Sequence, residues 1–105
     1  MKMRLDLQYK LEDILGSRNV YFQPPEYIKL KYPCVVYSLN NQVFDKANDK
    51  RYKKYKRYTL ILITNDYNDF VIETLKEKIL DLDYCTEERG YIKDNLYYYP
   101  FTLYF

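Results

Sequence analysis

The chain has 105 residues, 48% hydrophobic and 30% charged, with a net charge of +2. That balance describes one globular domain over residues 1–105. It excludes a disordered chain and leaves no apolar run near the ~18 residues of a membrane span. There is no histidine, and the only glycines are Gly16 and Gly90. The commonest general acid–base group, the usual activator of Ser and Cys nucleophiles and any Gly-rich phosphate loop are therefore missing.

The opening Met1-Lys2-Met3-Arg4-Leu5-Asp6 lacks the apolar stretch of a signal peptide, so no leader is expected. Residues 3–15 read as an amphipathic helix with Met3, Leu7, Leu11, Ile14 and Leu15 on one face, stopped by Gly16. Residues 19–22 form a short strand that Pro24-Pro25 breaks, and residues 26–32 make a connection with room for one helical turn. Residues 34–39 are dense in β-branched side chains and read as a central strand, which Pro33 can begin. Asn40-Asn41 marks a turn, and residues 42–56 are polar and basic. Residues 58–64 carry apolar side chains on both faces, as expected inside a sheet. Residues 65–69 form a turn that can supply a helix N-cap. Residues 70–81 form a second helix with Val71, Ile72, Leu75 and Ile79 on one side. Residues 84–92 and 96–105 make a final pair of strands joined at Lys93-Asp94-Asn95. The class is α+β, a mostly antiparallel sheet with two helices on one face, in the order α-β-β-β-α-β-β.

The final stretch carries the strongest signal. Tyr97, Tyr99, Phe101, Leu103 and Phe105 line one alternating face, while Leu96, Tyr98 and Tyr104 occupy the other. A half-buried strand needs one apolar face. The second face suggests a partner, and Tyr98, Thr102 and Tyr104 are its candidate contacts. Such a chain end should be tied into the sheet rather than frayed. Tyrosine occurs 15 times and tryptophan never. Two readings of that count stand side by side: tyrosine-rich interfaces, and the codon bias of an AT-rich genome.

Cys34 and Cys85 form no CxxC pair and read as reduced, buried thiols in separate strands that face one another in the sheet or core. With no histidine, two thiols and carboxylates make a poor zinc set. Asp81, Asp83, Glu87 and Glu88 match no calcium-loop spacing and read as a helix end and a hairpin surface. No cofactor or metal is expected.

Several strings, in order along most of the chain, resemble the tail terminator or tail-completion proteins of tailed bacteriophages. They are Leu11-Glu12-Asp13-Ile14-Leu15-Gly16, Asn19-Val20-Tyr21-Phe22-Gln23-Pro24-Pro25, Tyr32-Pro33-Cys34-Val35-Val36-Tyr37, Lys56-Arg57-Tyr58-Thr59, and Asp94-Asn95-Leu96 running to Phe101-Thr102-Leu103-Tyr104-Phe105. The resemblance implies a structural virion protein with no catalytic site, assembled in the host cytoplasm. It would form a ring, hexameric in the family, that caps the tail tube and joins it to the head connector. Its partners would be the major tail tube protein and the connector, with DNA passing through the lumen unread and no membrane involved. The chain departs from the family pattern twice. Asn65-Asp66-Tyr67-Asn68-Asp69 replaces an Asp-Pro-Asp-type turn, and Tyr97-Tyr98-Tyr99 stands where the family carries a histidine.

One charge cluster remains: Lys46, Lys50, Arg51, Lys53, Lys54, Lys56 and Arg57, interleaved with Tyr52, Tyr55 and Tyr58. Against Asp49, residues 46–57 carry +6, so the rest of the chain sums to −4. Three readings stand: a surface facing a protein partner or DNA within an assembly, a merely solvated segment (a hairpin tip or an edge strand protected by lysines), and a nucleic-acid site built on phosphate contacts and stacking. The last defines the alternative function, a small nucleic-acid-binding protein.

Overall fold

In a computed structural model, residues 3–44, 55–66, 68–82 and 84–105 are described, the side chains of 41–44, 55 and 69 excepted. The elements are α1 (Arg4–Leu15), β1 (Val20–Phe22), β2 (Cys34–Phe44), β3 (Tyr55–Thr64), α2 (Asp69–Leu80), β4 (Cys85–Glu87), β5 (Tyr91–Lys93) and β6 (Leu96–Tyr104). They build the expected α+β class around a six-stranded sheet in the order β1-β2-β3-β6-β4, with β5 also on β6. All pairings are antiparallel except that of β1 with β2.

Local chemistry sets the helix ends. Asp6 accepts a hydrogen bond from the Met3 backbone N–H at 2.9 Å. Gly16 closes α1 at φ 75°, a left-handed turn that costs a side-chain-bearing residue ~1–2 kcal/mol. Asn68 caps α2 by accepting from the Val71 N–H at 3.3 Å. Both expected apolar stripes need correction at one end. Met3 and Val71 are exposed, while Leu7, Leu11, Ile72 and Ile79 are buried.

One sheet face carries the core. Val35, Leu62 and Tyr99 lie in one cross-strand row, and Tyr37, Leu60 and Phe101 in the next. Leu7 and Leu11 of α1 and Ile79 of α2 join the same buried cluster. Leu103 and Phe105 complete it, and Lys56 exchanges both backbone hydrogen bonds with Phe105 (3.0 and 2.9 Å). A polar seam crosses the core edge: Tyr37 donates to Gln8 Oε1, and Arg4 donates to the Tyr37 hydroxyl at 3.1 Å while lying over the Phe22 ring.

Three expectations are corrected. Asn40-Asn41 is not a turn, because β2 continues to Phe44 through a register shift between Asn40 and Val43. The Asn40 side chain bonds Thr59 across the strand pair instead. The span 84–92 is not one strand but two, giving the order α-β-β-β-α-β-β-β. The cause is Pro100. Its carbonyl accepts from the Glu88 N–H at 2.9 Å, so its own missing N–H falls on the same side, where a ladder bond would have run. The partner strand answers with an extra residue. Glu87 opposes Phe101 and Tyr91 opposes Tyr98, so three residues face two. Gly90 sits in this bulge, where a Cβ would meet the Tyr98 carbonyl at 3.0 Å. Finally, Cys34 and Cys85 do not face one another. Cys85 packs against the core, while Cys34 shares its row with Ile63 and Tyr98 on the other sheet face.

Candidate functional site

That other face carries neither helix. Register brings Tyr21, Val36, Ile61 and Pro100 into one row across β1, β2, β3 and β6. Cys34, Ile63, Tyr98 and Tyr91 make a neighbouring row. Ser38, Thr59 and Thr102 form the next, and Asn40, Arg57 and Tyr104 the last. Most of these side chains are half-buried, and the β1–β2 connection reaches this face, where the Lys31 N–H donates to the Tyr21 hydroxyl at 3.2 Å.

The apolar end of the face is aromatic. Tyr91 and Tyr98 stack with centroids 4.8 Å apart and planes 7° from parallel. Tyr32, in the β1–β2 connection, lies nearby. Burial pushes its phenol up, and the neighbouring Cys34, Tyr98 and Tyr21 push it further. Burial likewise raises Tyr98, with Tyr91, Asp94 and Cys34 adding to it. These two raised phenols, Tyr32 and Tyr98, are held neutral, away from phenolate chemistry. Burial also pushes the Cys34 thiol up to about 12 and the Cys85 thiol to about 11, so neither is an activated nucleophile.

The predicted contact residues Tyr98, Thr102 and Tyr104 thus share one face of β6, with Pro100 between Tyr98 and Thr102. Of the basic cluster, Lys46, Lys50, Arg51, Lys53 and Lys54 lie outside the described residues. Lys56 and Arg57 lie on β3, Arg57 on the face without helices, opposite Tyr104. The predicted carboxylate surface splits between the faces. Glu87 binds Lys76 Nζ at 2.8 Å, while Glu88 accepts from the Thr102 hydroxyl at 3.1 Å. Among the described residues no three His, Cys, Asp or Glu side chains group to hold a metal, and no helix is long and apolar enough to cross a membrane.

One feature escaped the sequence reading. A groove of about 350 Å³ opens between α2 and β5, with Ile72, Glu73 and Lys76 on the helix side and Ile92, Tyr97 and Tyr99 on the sheet side. The i, i+4 spacing of Ile72 and Lys76 was visible, but the opposite wall, which includes Gly90 and Ile92, depends on the split of β4 from β5. Lys76 spans its floor, 2.8 Å from Glu87, 3.7 Å from Glu73 and 5.2 Å from the Tyr99 ring centroid. The hydrogen bond to Glu87 raises its pKa against the opposing effect of burial. No family model matches the sequence, and no curated protein compared with it matches.

Proposed function

We propose that this chain is a structural subunit of a tailed-phage virion, a tail terminator or tail-completion protein. It forms a ring at the head-proximal end of the tail and joins the tube to the head connector. The observation that carries the reading is the sheet face without helices. Tyr21, Val36, Ile61, Tyr98, Pro100 and Tyr104 present a half-buried apolar and aromatic surface. Its apolar rows, from Cys34, Ile63 and Tyr98 to Tyr21, Val36, Ile61 and Pro100, are the kind of surface that marks protein contact. Tyrosine, here with Tyr104 beyond the polar Ser38, Thr59 and Thr102 row, is enriched where such contacts form. The resemblance of the quoted strings supplies the identity of the assembly. The role is architectural rather than catalytic, in keeping with the Cys34 and Cys85 thiols and the Tyr98 phenol held protonated.

Electron microscopy of the purified protein, alone and with tail-tube protein, tests this. The expected result is a ring coaxial with the tube, formed alone or only once tube is present. Assembled particles holding a single copy away from the tail axis would overturn the reading.

A further inference from the structure

We propose that the groove between α2 and β5 is the receiving half of a head-to-tail contact between copies of this chain, and that its occupant is the basic segment 46–54 of a second copy. This rests on the reading that the chain assembles with itself, and it names where the copies touch.

The groove has the parts of a strand-addition site. Among the described residues β5 pairs with β6 alone, so its outer side is a sheet edge. Glu88 donates to Pro100, and Tyr104 donates to Tyr84, so the even-numbered residues of β6 turn their backbone groups toward β4 and β5. By alternation, Tyr91 and Lys93 bond to β6, and the N–H and C=O of Ile92 point outward. An extended segment laid along Ile92 would pair with those groups. Its alternate side chains would drop into the groove over Ile72, Tyr97 and Tyr99, the way peptides add to a sheet edge beside a helix.

Charge selects the occupant. Residues 66–94 hold nine carboxylates against four bases, a balance of −5. Lys76, the cation within the groove, is already taken up by Glu87 and Glu73. Residues 46–54 hold Lys46, Lys50, Arg51, Lys53 and Lys54 against Asp49, with Tyr52 to enter an apolar groove.

Chain length makes the contact intermolecular. The ten residues between Phe44 and Tyr55 are tied at both ends to one cross-strand pair. Half of them, fully extended, reach about 17 Å. The groove lies level with Leu62 and Thr64, the partners of Tyr99 and Tyr97. That is seven to nine strand residues from Tyr55, or about 23–30 Å. The segment falls short of its own groove, so the donor is another copy. Two different patches meet, and such a contact generates a ring or an open filament according to its rotation.

A synthetic peptide of residues 46–54, titrated into the full-length ¹⁵N-labelled protein, tests the contact. The expected shifts centre on the amides of Glu73, Gly90 and Ile92 and fade with added salt. Glu73→Lys and Ile92→Lys, both at exposed positions, should each weaken binding about tenfold, or ~1.4 kcal/mol, with unchanged melting temperature. The proposal is overturned by shifts confined to the face without helices, by none at millimolar peptide, or by undiminished binding to both variants. It is equally overturned if a short DNA strand moves these amides and the peptide does not. The outcome is separable from that of the tail reading: a ring seen on the tube with no peptide in the groove would refute this contact alone.

Discussion

Phe101 and Tyr104 stand three residues apart on β6 and face opposite ways, so they test the two surfaces separately. Phe101 is fully buried among α1, α2 and sheet residues. Phe101→Ala should cost about 3–5 kcal/mol and lower the melting temperature by more than ~10 °C. Tyr104→Ala, on the face without helices, should move it little and weaken subunit or tube contact, read as loss of ring or of tube binding. The assignment of alternate β6 residues to two faces was legible because the strand period is two. Which of them stack was not, since Tyr91 reaches Tyr98 only through the Pro100 bulge. Proton linkage acts at the same scale. Cys34, Cys85, Tyr37, Tyr58 and Lys76 all have raised pKa values in the fold. A raised group contributes stability that is complete below its unfolded value and is lost as pH climbs through its folded value. Urea midpoints should therefore hold steady from about pH 6 to 8.5, where no histidine titrates. They should fall from about pH 9, as unfolded thiols and then phenols ionise.

At the scale of elements, β6 is the strand most depended upon, lying between β3 on one side and β4 and β5 on the other. Its end contributes Leu103 and Phe105 to the core, together with the two backbone bonds between Phe105 and Lys56. Deleting Leu103-Tyr104-Phe105 should remove about 3–6 kcal/mol from the two buried side chains alone, a large part of a small domain's ~5–15 kcal/mol. Thermal melting of the truncated chain checks this, and an unchanged melting temperature would refute it. The helices and the three longer strands could be read from period and capping, as at Gly16 and Asn68. The parallel pairing of β1 with β2 could not, because three residues carry no register of their own. The split of β4 from β5 was missed because its cause sits on another strand, at Pro100.

For the whole molecule, charge is distributed against its modest total. The +6 of residues 46–57 opposes −4 elsewhere. Six net charges give weak, steeply salt-dependent binding to a polyanion. We expect little association with short duplex DNA at ~150 mM salt. A dissociation constant near 10⁻⁸ M, the range of specific binders, would favour a nucleic-acid role instead. An apolar second face on β6 was legible from a strand apolar on both sides. The groove was not, because it joins a helix to a sheet edge across residues distant in sequence.

Pro100 also settles an ambiguity that oiliness leaves open. In most strands a slip of one residue is punished because it turns the greasy side to water. β6 is greasy on both sides, so that penalty is blunted, and a shifted pairing would look nearly as good to the solvent. A proline that lacks a donor toward one neighbour, matched by a bulge in that neighbour, acts as a fiducial mark: β4 and β5 fit along β6 in one alignment only. Pro100→Val would erase the mark, leaving a strand whose partners can dock a notch out of place, on its own sheet or on another molecule's.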